Sequence, residues 1–270
     1  LAHGSMFMIG AFVGGTIAAV TGSFVIGVVL MIPAMLLIGM AVEMTTLRTL
    51  YPRDHLDHVL ATFGLILFFN AATRLIWGPE GLVVPLPDFL EGSVALGIGI
   101  TYPVYRIMII VVGLLVALGL YVLVAKTRIG MLIRAGASNR TMAGALGVNI
   151  PMLFSVVFGI GAVLAGLAGL IITPITAAQI GMGEDVLILA FVVIVIGGIG
   201  SIRGAFIASI VTGVIDTMGR SFLDVFLLLF LPENAAESAG PALSSMMIYI
   251  LMAAILFFRP QGLFPPKGAQ

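Results

Sequence analysis

The first 42 residues, LAHGSMFMIGAFVGGTIAAVTGSFVIGVVLMIPAMLLIGMAV (1–42), contain no Asp, Glu, Lys or Arg. A helix of about 20 apolar residues is long enough to cross the roughly 30 Å hydrocarbon core of a bilayer. The run therefore has room for two crossing helices, and Gly22 lies where one would turn into the next. Its apolar residues are continuous rather than alternating, which argues against the strands of a β-barrel.

Four further uncharged stretches repeat this pattern, at 107–125, 141–183, 186–202 and 238–258. Where a stretch exceeds one crossing, Gly and Pro mark the places at which it divides into hairpins or kinked helices. The predicted fold class is all-α, a polytopic transmembrane helix bundle of seven or eight spans in a single domain, 1–270. The predicted spans are 5–22, 24–42, 58–77, 101–125, 150–173, 186–201, 204–231 and 243–258.

The composition excludes several classes of protein. Hydrophobic residues make up 61% of the chain and charged residues only 9%, which is too few for the surface of a soluble enzyme or for a disordered chain. Basic and acidic residues number 12 each, so no basic face is available for nucleic acid. Cysteine is absent, which excludes disulfides and thiolate metal sites. Leu1 opens directly into an apolar run without a basic leader region, so we expect a fragment or a trimmed chain.

The distribution of charge predicts the orientation in the membrane. The segment 126–149, called the basic segment below, contains four basic residues and no acidic residue. When the spans are threaded in order, this segment, the loop 43–58 and the C-terminus all lie on one side. The positive-inside rule assigns that side to the cytoplasm, with eight of the 12 acidic residues on the other side. The basic residues placed inside are Arg48, Arg53, Lys126, Arg128, Arg134, Arg140, Arg203, Arg259 and Lys267.

Signatures of an enzyme are absent: the chain has no His-Glu-x-x-His, Gly-x-Ser-x-Gly or Walker A sequence. The glycines of 198–204 imitate a dinucleotide fingerprint, but the last one comes a position too late and the segment follows an apolar helix. A tight turn between helices explains them better. His55 and His58 flank Asp57, which allows either a metal site or a helix start capped by an aspartate at the membrane surface. We predict the helix start and no metal, cofactor or catalytic residue.

Ionisable residues inside a membrane span are a common sign of function. Asp216 lies within a predicted span, and Arg220 is four residues further on, so the two can pair on one helix face. Asp216 is therefore either half of a structural ion pair or part of a translocation path. Because the predicted spans offer at most this one carboxylate, we do not expect an ion gradient to drive transport through these helices.

The basic segment is too long for a simple hairpin turn. Either it is a loop that obeys the positive-inside rule, or it contains a short amphipathic helix that lies on the membrane or on a partner. Polar residues near Pro174 leave a similar choice. Thr173, Thr176 and Gln179 line a path at a break in the helix, together with Asp216, or they belong to an ordinary helix end at the outer surface.

Four short motifs lie in order along almost the whole chain. They are Leu1-Ala2-His3-Gly4 with Met8-Ile9-Gly10-Ala11; Gly130, Arg134-Ala135, Asn139, Ala143 and Leu146-Gly147-Val148; Gly197-Gly198-Ile199-Gly200-Ser201 with Gly204-Ala205; and Arg259-Pro260-Gln261-Gly262-Leu263-Phe264. Together they resemble the permease subunits of bacterial ABC importers of the branched-chain amino acid family. The chain departs from the family at Arg203, where proline is frequent, and at Pro265-Pro266, where the family has glycine. The family also has at least one more helix before the first motif, which agrees with a fragment that lacks its N-terminal helix.

The resemblance implies a multi-pass subunit of the bacterial inner membrane that hydrolyses no ATP itself. Two cytoplasmic ABC ATPase subunits would bind below it, a second permease subunit would complete the path as a homo- or heterodimer, and a solute-binding protein would deliver the ligand at the outer face. The resemblance also places a short coupling helix within 131–146, where Arg134 and Asn139 would be the polar contacts. The residues it implies for coupling to the ATPase are Gly130, Arg134, Ala135, Asn139, Arg140, Ala143 and Gly147. The resemblance also implies family-motif turns in the first and third motifs, and their residues are His3, Gly4, Gly198, Gly200, Ser201 and Gly204.

A path walled by small and apolar residues suits a small neutral or zwitterionic solute, and the resemblance favours branched-chain amino acids. Two alternatives stay open. One is a stand-alone channel or secondary carrier, which would need neither ATP nor partners, and the other is an ABC permease for urea or amides. An intramembrane hydrolase is disfavoured, because the three histidines lie mostly at the edges of predicted spans.

The absence of cysteine makes the orientation directly testable. A single cysteine introduced as Ala137→Cys in the basic segment should react with a membrane-impermeant maleimide only when the cytoplasmic face is exposed, as in inverted vesicles. Ser93→Cys, on the predicted outer side, is the control and should react only in right-side-out cells. Reaction of the cysteine at 137 from outside would overturn the predicted orientation.

Overall fold

The computed structural model describes residues 2–95, 101–228 and 232–264, and these residues are mostly helical. Charged and turn-forming residues separate the apolar runs, so each run forms its own helix. The helices are α1 (Ala2–Thr21), α2 (Phe24–Val42), α3 (Arg48–Leu50), α4 (His55–Trp77), α5 (Val104–Lys126), α6 (Arg128–Ser138), α7 (Arg140–Ala145), α8 (Ile150–Thr176), α9 (Met182–Gly197), α10 (Ile202–Leu227) and α11 (Glu233–Phe258). A π-helical turn (Glu43–Leu47), a 3-10 turn (Asp88–Leu90) and the strands β1 (Ser93–Ala95) and β2 (Thr101–Pro103) complete the described elements.

The predicted all-α polytopic bundle is confirmed. Among the described residues, six helical stretches are long and apolar enough to cross a membrane, and a shorter apolar helix covers Ala242–Phe258. The six stretches are Ala2–Thr21, Phe24–Leu50, His55–Trp77, Val104–Lys126, Ile150–Thr176 and Ile202–Leu223. The assignment of 1–270 to one domain stays a prediction. The chain forms two compact units, 1–187 and 188–270.

The structure differs from the sequence prediction at the loop 43–58. Helical structure continues past Val42 through the π-helical turn and α3 to Leu50, so only the residues up to Asp54 connect it to α4. A charged residue at position 43 predicts the end of the membrane-spanning helix. The helix continues because the Glu43 side chain is fully buried and hydrogen-bonded within the protein. The short antiparallel pair β1–β2, in which Val94 faces Tyr102, was also not predicted.

In the first unit, the longest helix, α8, packs against both α1 and α2. Glycine makes the closest of these approaches possible: a side chain at Gly10 would collide with the backbone of Gly166, and one at Gly169 would collide with the Phe7 carbonyl group. A buried cluster fills the space between the three helices, and dispersion contacts hold it together since lipid is as apolar as the side chains. Its members are Met6, Ile9, Met31, Met35, Val42, Ala162 and Leu170.

The segment between α8 and α9 is not helical, yet it is packed inside this unit. Ala178 is fully buried against α1 and exchanges both backbone hydrogen bonds with Leu82 from the loop after α4. This isolated bridge satisfies backbone groups that would otherwise be unpaired among apolar side chains. Irregular backbone at the depth of a membrane is tolerated only when protein or water satisfies it in this way.

In the second unit, α9 from Ile188 onward, α10 and α11 surround a small apolar core. Gly197 and Gly204 touch so closely that neither position has room for a side chain. The end of the described chain folds back on this turn, since the amide groups of Leu263 and Phe264 donate to the carbonyls of Ile196 and Gly197. The core residues are Val192, Ile196, Ala208 and Ile248.

The contact between Gly10 and Gly166 predicts a strong dependence on side-chain size. Gly10→Val should destabilise the first unit by about 1–3 kcal/mol, because α1 and α8 would have to separate. Gly113→Ala is the matched control: nothing lies within 4 Å of the methyl group it adds on α5, and alanine favours a helix by up to about 1 kcal/mol. Thermal unfolding in detergent measures both changes, and equal unfolding temperatures for the two variants would contradict the close packing.

Candidate functional site

The basic segment forms two short helices, α6 and α7, that lie between the two long helices α5 and α8. Three polar residues of the segment cap the helices α6, α7 and α8. The side chains of Thr127, Asn139 and Asn149 each accept a hydrogen bond from a backbone amide in the first turn of the helix that follows. The range 131–146, within which a short coupling helix is expected, includes most of α6 and all of α7. Asn139 has extended backbone angles (φ −152°, ψ 100°) and ends α6, because its side chain caps α7 instead.

Two arginines of the basic segment contact the protein itself. Arg134 Nη1 donates to the carbonyl oxygen of Val124, at the end of α5. The Arg140 guanidinium lies 5.3 Å from the centroid of the Phe154 ring on α8, a cation–π arrangement. Both arginines remain exposed to solvent, so each can also meet a partner.

The smaller residues of the same motif divide into packed and exposed positions. Gly130 is buried against the carbonyls of Leu123 and Val124, and Ala143 is only 4% exposed. Ala135 and Gly147 are exposed, and Gly147 has φ 89°, a conformation that favours glycine and ends α7. Some residues of the motif therefore determine how the segment packs, and others lie on its exposed surface.

Large apolar side chains on the basic segment face solvent. The charged and apolar residues separate clearly on α6, which gives this helix an amphipathic character that the long apolar helices lack. An exposed group of apolar side chains next to basic ones is typical of a surface that binds a partner. The residues concerned are Ile129, Met131, Leu132, Met142 and Leu146, whose exposed fractions range from 37% for Leu132 to 79% for Leu146.

The predicted path residues at the C-terminal end of α8 do not share one environment. Thr173 is buried and donates to the Gly169 carbonyl at 2.7 Å, whereas Thr176 and Gln179 are exposed. The expected break at Pro174 is also displaced. The helix continues to Thr176 and ends where Ala177 takes φ 60°, because the Ala177 amide still donates to the Thr173 carbonyl and closes the last turn.

Asp216 accepts a hydrogen bond from Arg220 Nε at 2.9 Å on one face of α10. The Asp216 side chain is 25% exposed and the Arg220 side chain 61% exposed. This is the ion pair that the four-residue spacing allows. An ionic partner therefore already occupies the Asp216 carboxylate.

The motif residues near the start of the chain lie against neighbouring helices. The His3 ring packs edge-on to Phe158 with centroids 4.8 Å apart, close to Gly161 on α8. Gly4 meets the backbone of Gly183 at the start of α9, and neither residue has room for a side chain. The first motif therefore fixes where helices meet.

The second motif turn connects α9 to α10. Gly198 (φ 97°) and Gly200 (φ 87°) both have positive φ, which glycine adopts without strain. The Ser201 hydroxyl oxygen accepts from the Gly204 amide at 3.0 Å and so caps α10. The turn is a helix connection stabilised by a serine cap.

Residues around the start of α4 match the expected helix start only in part. Asp54 occupies the cap position, but its side chain makes no capping hydrogen bond. Asp57 lies in the first turn, where its charge favours the helix dipole, 3.9 Å from Arg53. Within the described ranges, no three His, Asp or Glu side chains are close enough together to hold a metal ion.

Asn70 lies four residues before Arg74 on α4, a spacing at which two side chains can meet on one helix face, but its partner is on another helix. Its Nδ2 donates to Glu184 Oε1 at 2.5 Å, and this contact ties α4 to the first turn of α9. Arg74 is exposed near the end of α4, as expected for an arginine that reaches the interface.

A polar cluster that the sequence pattern does not predict lies at the end of α2. It is called the Glu43 cluster below and comprises Glu43, Arg48, Tyr51 and Ser155. Glu43 is 0% exposed; its Oε1 accepts from the Tyr51 hydroxyl at 2.9 Å, and its Oε2 accepts from the Ser155 hydroxyl and lies 3.5 Å from Arg48 Nη2. Arg48 Nη2 also donates to Ser155 Oγ at 2.8 Å. Two features of the sequence could have indicated this cluster: Ser155 interrupts an apolar run, and Glu43 has a basic residue, Arg48, five positions later.

Comparison with known proteins places these features in context. The family model for the branched-chain amino acid transport system permease component matches residues 1–256. The chain is 28% identical to the high-affinity branched-chain amino acid transport system permease protein BraD of Pseudomonas aeruginosa, over 97% of this chain and 84% of that protein. It is 28% identical to the corresponding protein LivH of Escherichia coli K12, over 82% and 76%. The D-allose transport system permease protein AlsC of Escherichia coli K12 is 31% identical over 62% and 51%. No solved structure matches significantly.

The Glu43 cluster predicts a pH dependence of stability. Burial, together with the hydrogen bond to the Glu43 carboxylate, raises the pKa of Tyr51 from 10.0 to about 12. Because the folded protein favours the neutral phenol, this contribution to stability is complete below pH 10 and disappears as the pH rises toward 12. Tyr51→Phe should lower the free energy of unfolding by about 1–2 kcal/mol at pH 8 and by less above pH 11, measured as thermal unfolding in detergent. A constant difference between the two proteins from pH 8 to 12 would contradict the hydrogen bond.

Proposed function

The chain belongs to the family of permease components of branched-chain amino acid transport systems, and from this premise we propose that it is a membrane-spanning subunit of an ATP-driven importer. Its solute is small and zwitterionic, and branched-chain amino acids are the first choice. The observation that carries the proposal is the family match over 1–256, together with six helical stretches able to cross a membrane. BraD and LivH, which are named as branched-chain amino acid permeases, supply the substrate class.

The proposed assembly contains partners that supply what this chain lacks. Two cytoplasmic ABC ATPase subunits provide the energy, a second permease subunit completes the path, and a solute-binding protein delivers the ligand at the outer face. This chain hydrolyses no ATP. It lies in the bacterial inner membrane with 43–58, 126–149 and the C-terminus in the cytoplasm. The Lys and Arg residues of these segments, which are most concentrated in 126–149, support this orientation.

The basic segment is the proposed contact with the ATPase subunits. Its exposed apolar residues, such as Met131 and Leu146, fit a groove on a partner, while Arg134 and Arg140 add positive charge at the edge. The other residues of the motif keep the two short helices in shape: Gly130 and Ala143 pack inward, and Asn139 caps α7. Closure of the ATPase subunits around nucleotide would move this segment and shift the bundle between outward- and inward-open states.

The translocation path is assigned to small and apolar surfaces with few polar groups. Thr173, Thr176, Gln179 and Asp216 are its proposed polar members, supported by the non-helical segment after Thr176. Backbone groups in such a segment can hold a zwitterion briefly and release it again. The scarcity of charge suits a neutral solute and leaves ATP, rather than an ion gradient, as the source of energy.

Reversal of charge on the basic segment tests the contact with the ATPase subunits. In Arg134→Glu/Arg140→Glu, affinity-purified permease should retain the ATPase subunits at least tenfold less well than wild type, because negative charge replaces positive charge at the contact. Arg53→Glu/Arg259→Glu makes the same charge change elsewhere on the proposed cytoplasmic face and should leave recovery unchanged. Equal recovery from both double variants would count against the coupling assignment.

Reconstitution separates the importer from a stand-alone carrier. Proteoliposomes with the permease subunits alone should take up no leucine, and uptake should require the ATPase subunits, ATP and the solute-binding protein. Uptake by the permease alone would favour a channel or a secondary carrier.

A further inference from the structure

The Glu43 cluster joins the end of α2 to the first turns of α8. Ser155 on α8 donates to Glu43 and accepts from Arg48, which places one hydroxyl between both charged groups of an ion pair. Tyr51 occupies the second carboxylate oxygen of Glu43 from the other side. The two hydrogen bonds of Ser155 therefore depend on the relative position of α8 and the end of α2.

The same turn of α8 is also in contact with the basic segment. Phe154, which precedes Ser155, lies under the Arg140 guanidinium and makes an edge-on contact with the Tyr51 ring, with centroids 5.3 Å apart. Its other neighbour, Leu153, is 7% exposed and packs against Gly136 of α6. Arg140, Phe154 and Tyr51 thus form a continuous series of contacts from the basic segment to Glu43.

The π-helical turn creates this geometry. In an α-helix with 3.6 residues per turn, two residues five positions apart point about 140° away from each other. The wider π-helical turn instead stacks residues five apart, and the Arg48 amide accordingly donates to the Glu43 carbonyl. Glu43 and Arg48 therefore face Ser155 together, which a regular continuation of α2 would not allow. Single π-helical turns of this kind are frequent at functional sites.

Stability alone does not explain a buried carboxylate at this place. The Glu43 side chain is removed from water, which is costly even though Arg48, 38% exposed, lies beside it, and apolar residues of similar volume hold two helices together at least as well. Hydrogen bonds differ from apolar contacts in being directional: they weaken steeply when donor and acceptor are displaced, whereas apolar surfaces can slide past each other. A directional link makes α2 follow α8 when α8 moves.

We propose that the Glu43 cluster is the joint through which movement of the basic segment reaches α2, and that Glu43 is a positioning residue for alternating access. The proposal rests on the proposed function, since it assumes that the ATPase subunits move the basic segment. Displacement of α6 and α7 moves the first turns of α8 through Arg140 and Leu153. The Glu43 cluster then carries the displacement to α2, which lies against α1 and α8 around the buried core.

The test separates coupling from assembly by measuring leucine uptake and ATP hydrolysis in the same proteoliposomes, which contain the permease subunits, the ATPase subunits and the solute-binding protein. Glu43→Gln keeps the shape of the side chain but removes its charge. It should lower the number of leucine molecules imported per ATP about tenfold, while ATP hydrolysis and recovery of the ATPase subunits stay within twofold of wild type. Thr45→Ala is the matched control: the exposed Thr45 lies in the same π-helical turn, bonds only to the Ala41 carbonyl and the neighbouring Thr46, and should have no effect.

Two further variants keep the proposal testable if Glu43→Gln fails to fold. Phe154→Leu removes the ring between Arg140 and Tyr51 and should lower uptake per ATP by a similar factor, while Tyr51→Phe keeps the ring contact and should lower it two- to threefold. Because the contacts act in series, Glu43→Gln/Phe154→Leu should be no worse than the more affected single variant.

Three outcomes would overturn the proposal: unchanged uptake per ATP in Phe154→Leu and Tyr51→Phe, effects of Glu43 and Phe154 that multiply in the double variant, or equal losses of uptake, hydrolysis and recovery. The last pattern is that of a cluster that only stabilises the fold. Absence of ATP-dependent uptake in the wild-type assembly is a different failure, because it contradicts the proposed function itself.

Discussion

A lipid bilayer offers no water to backbone amides and carbonyls, and this constraint organises the whole chain. The long apolar runs become helices because a helix satisfies its own backbone. Where helices must approach closely, glycine replaces larger side chains, as at Gly10 against Gly166 and at Gly197 against Gly204. Where the chain is not helical but still buried, a backbone bridge between Leu82 and Ala178 performs the same task. The helices and the backbone bridge thus meet the same requirement, that buried backbone groups have hydrogen-bond partners.

Within that arrangement, α8 has a special position. It packs against α1 and α2, it follows directly on the basic segment through the Asn149 cap, and its first turns carry Phe154 and Ser155. A force applied at the start of α8 therefore meets the buried core of the first unit. The family to which the chain belongs transports solutes, and α8 is the element that connects the proposed site of energy input with that core.

The candidate site was predictable where function depends on local sequence. The basic segment is recognisable from its charge and its motif, and Asn139 is recognisable as a polar residue between two short helices. The contacts that these residues make could not be predicted from the sequence. Asn139 caps α7, Arg134 reaches back to Val124, and Arg140 covers Phe154. Each of these contacts depends on how α6 and α7 fold back onto α5 and α8, and no spacing in the sequence encodes that direction.

The sequence by itself determined the class of fold, the approximate limits of the spans and the family, because these follow from how many apolar residues cross a bilayer and from motifs kept in order. Only the tertiary structure decided that Glu43 is buried, that Asn70 binds Glu184 rather than pairing with Arg74, and that α8 continues past Pro174 to Thr176. A charged residue at the end of an apolar run normally faces water. Glu43 is buried instead because Tyr51 and Ser155, the latter more than 100 positions away, supply its hydrogen bonds, and only folding brings them together.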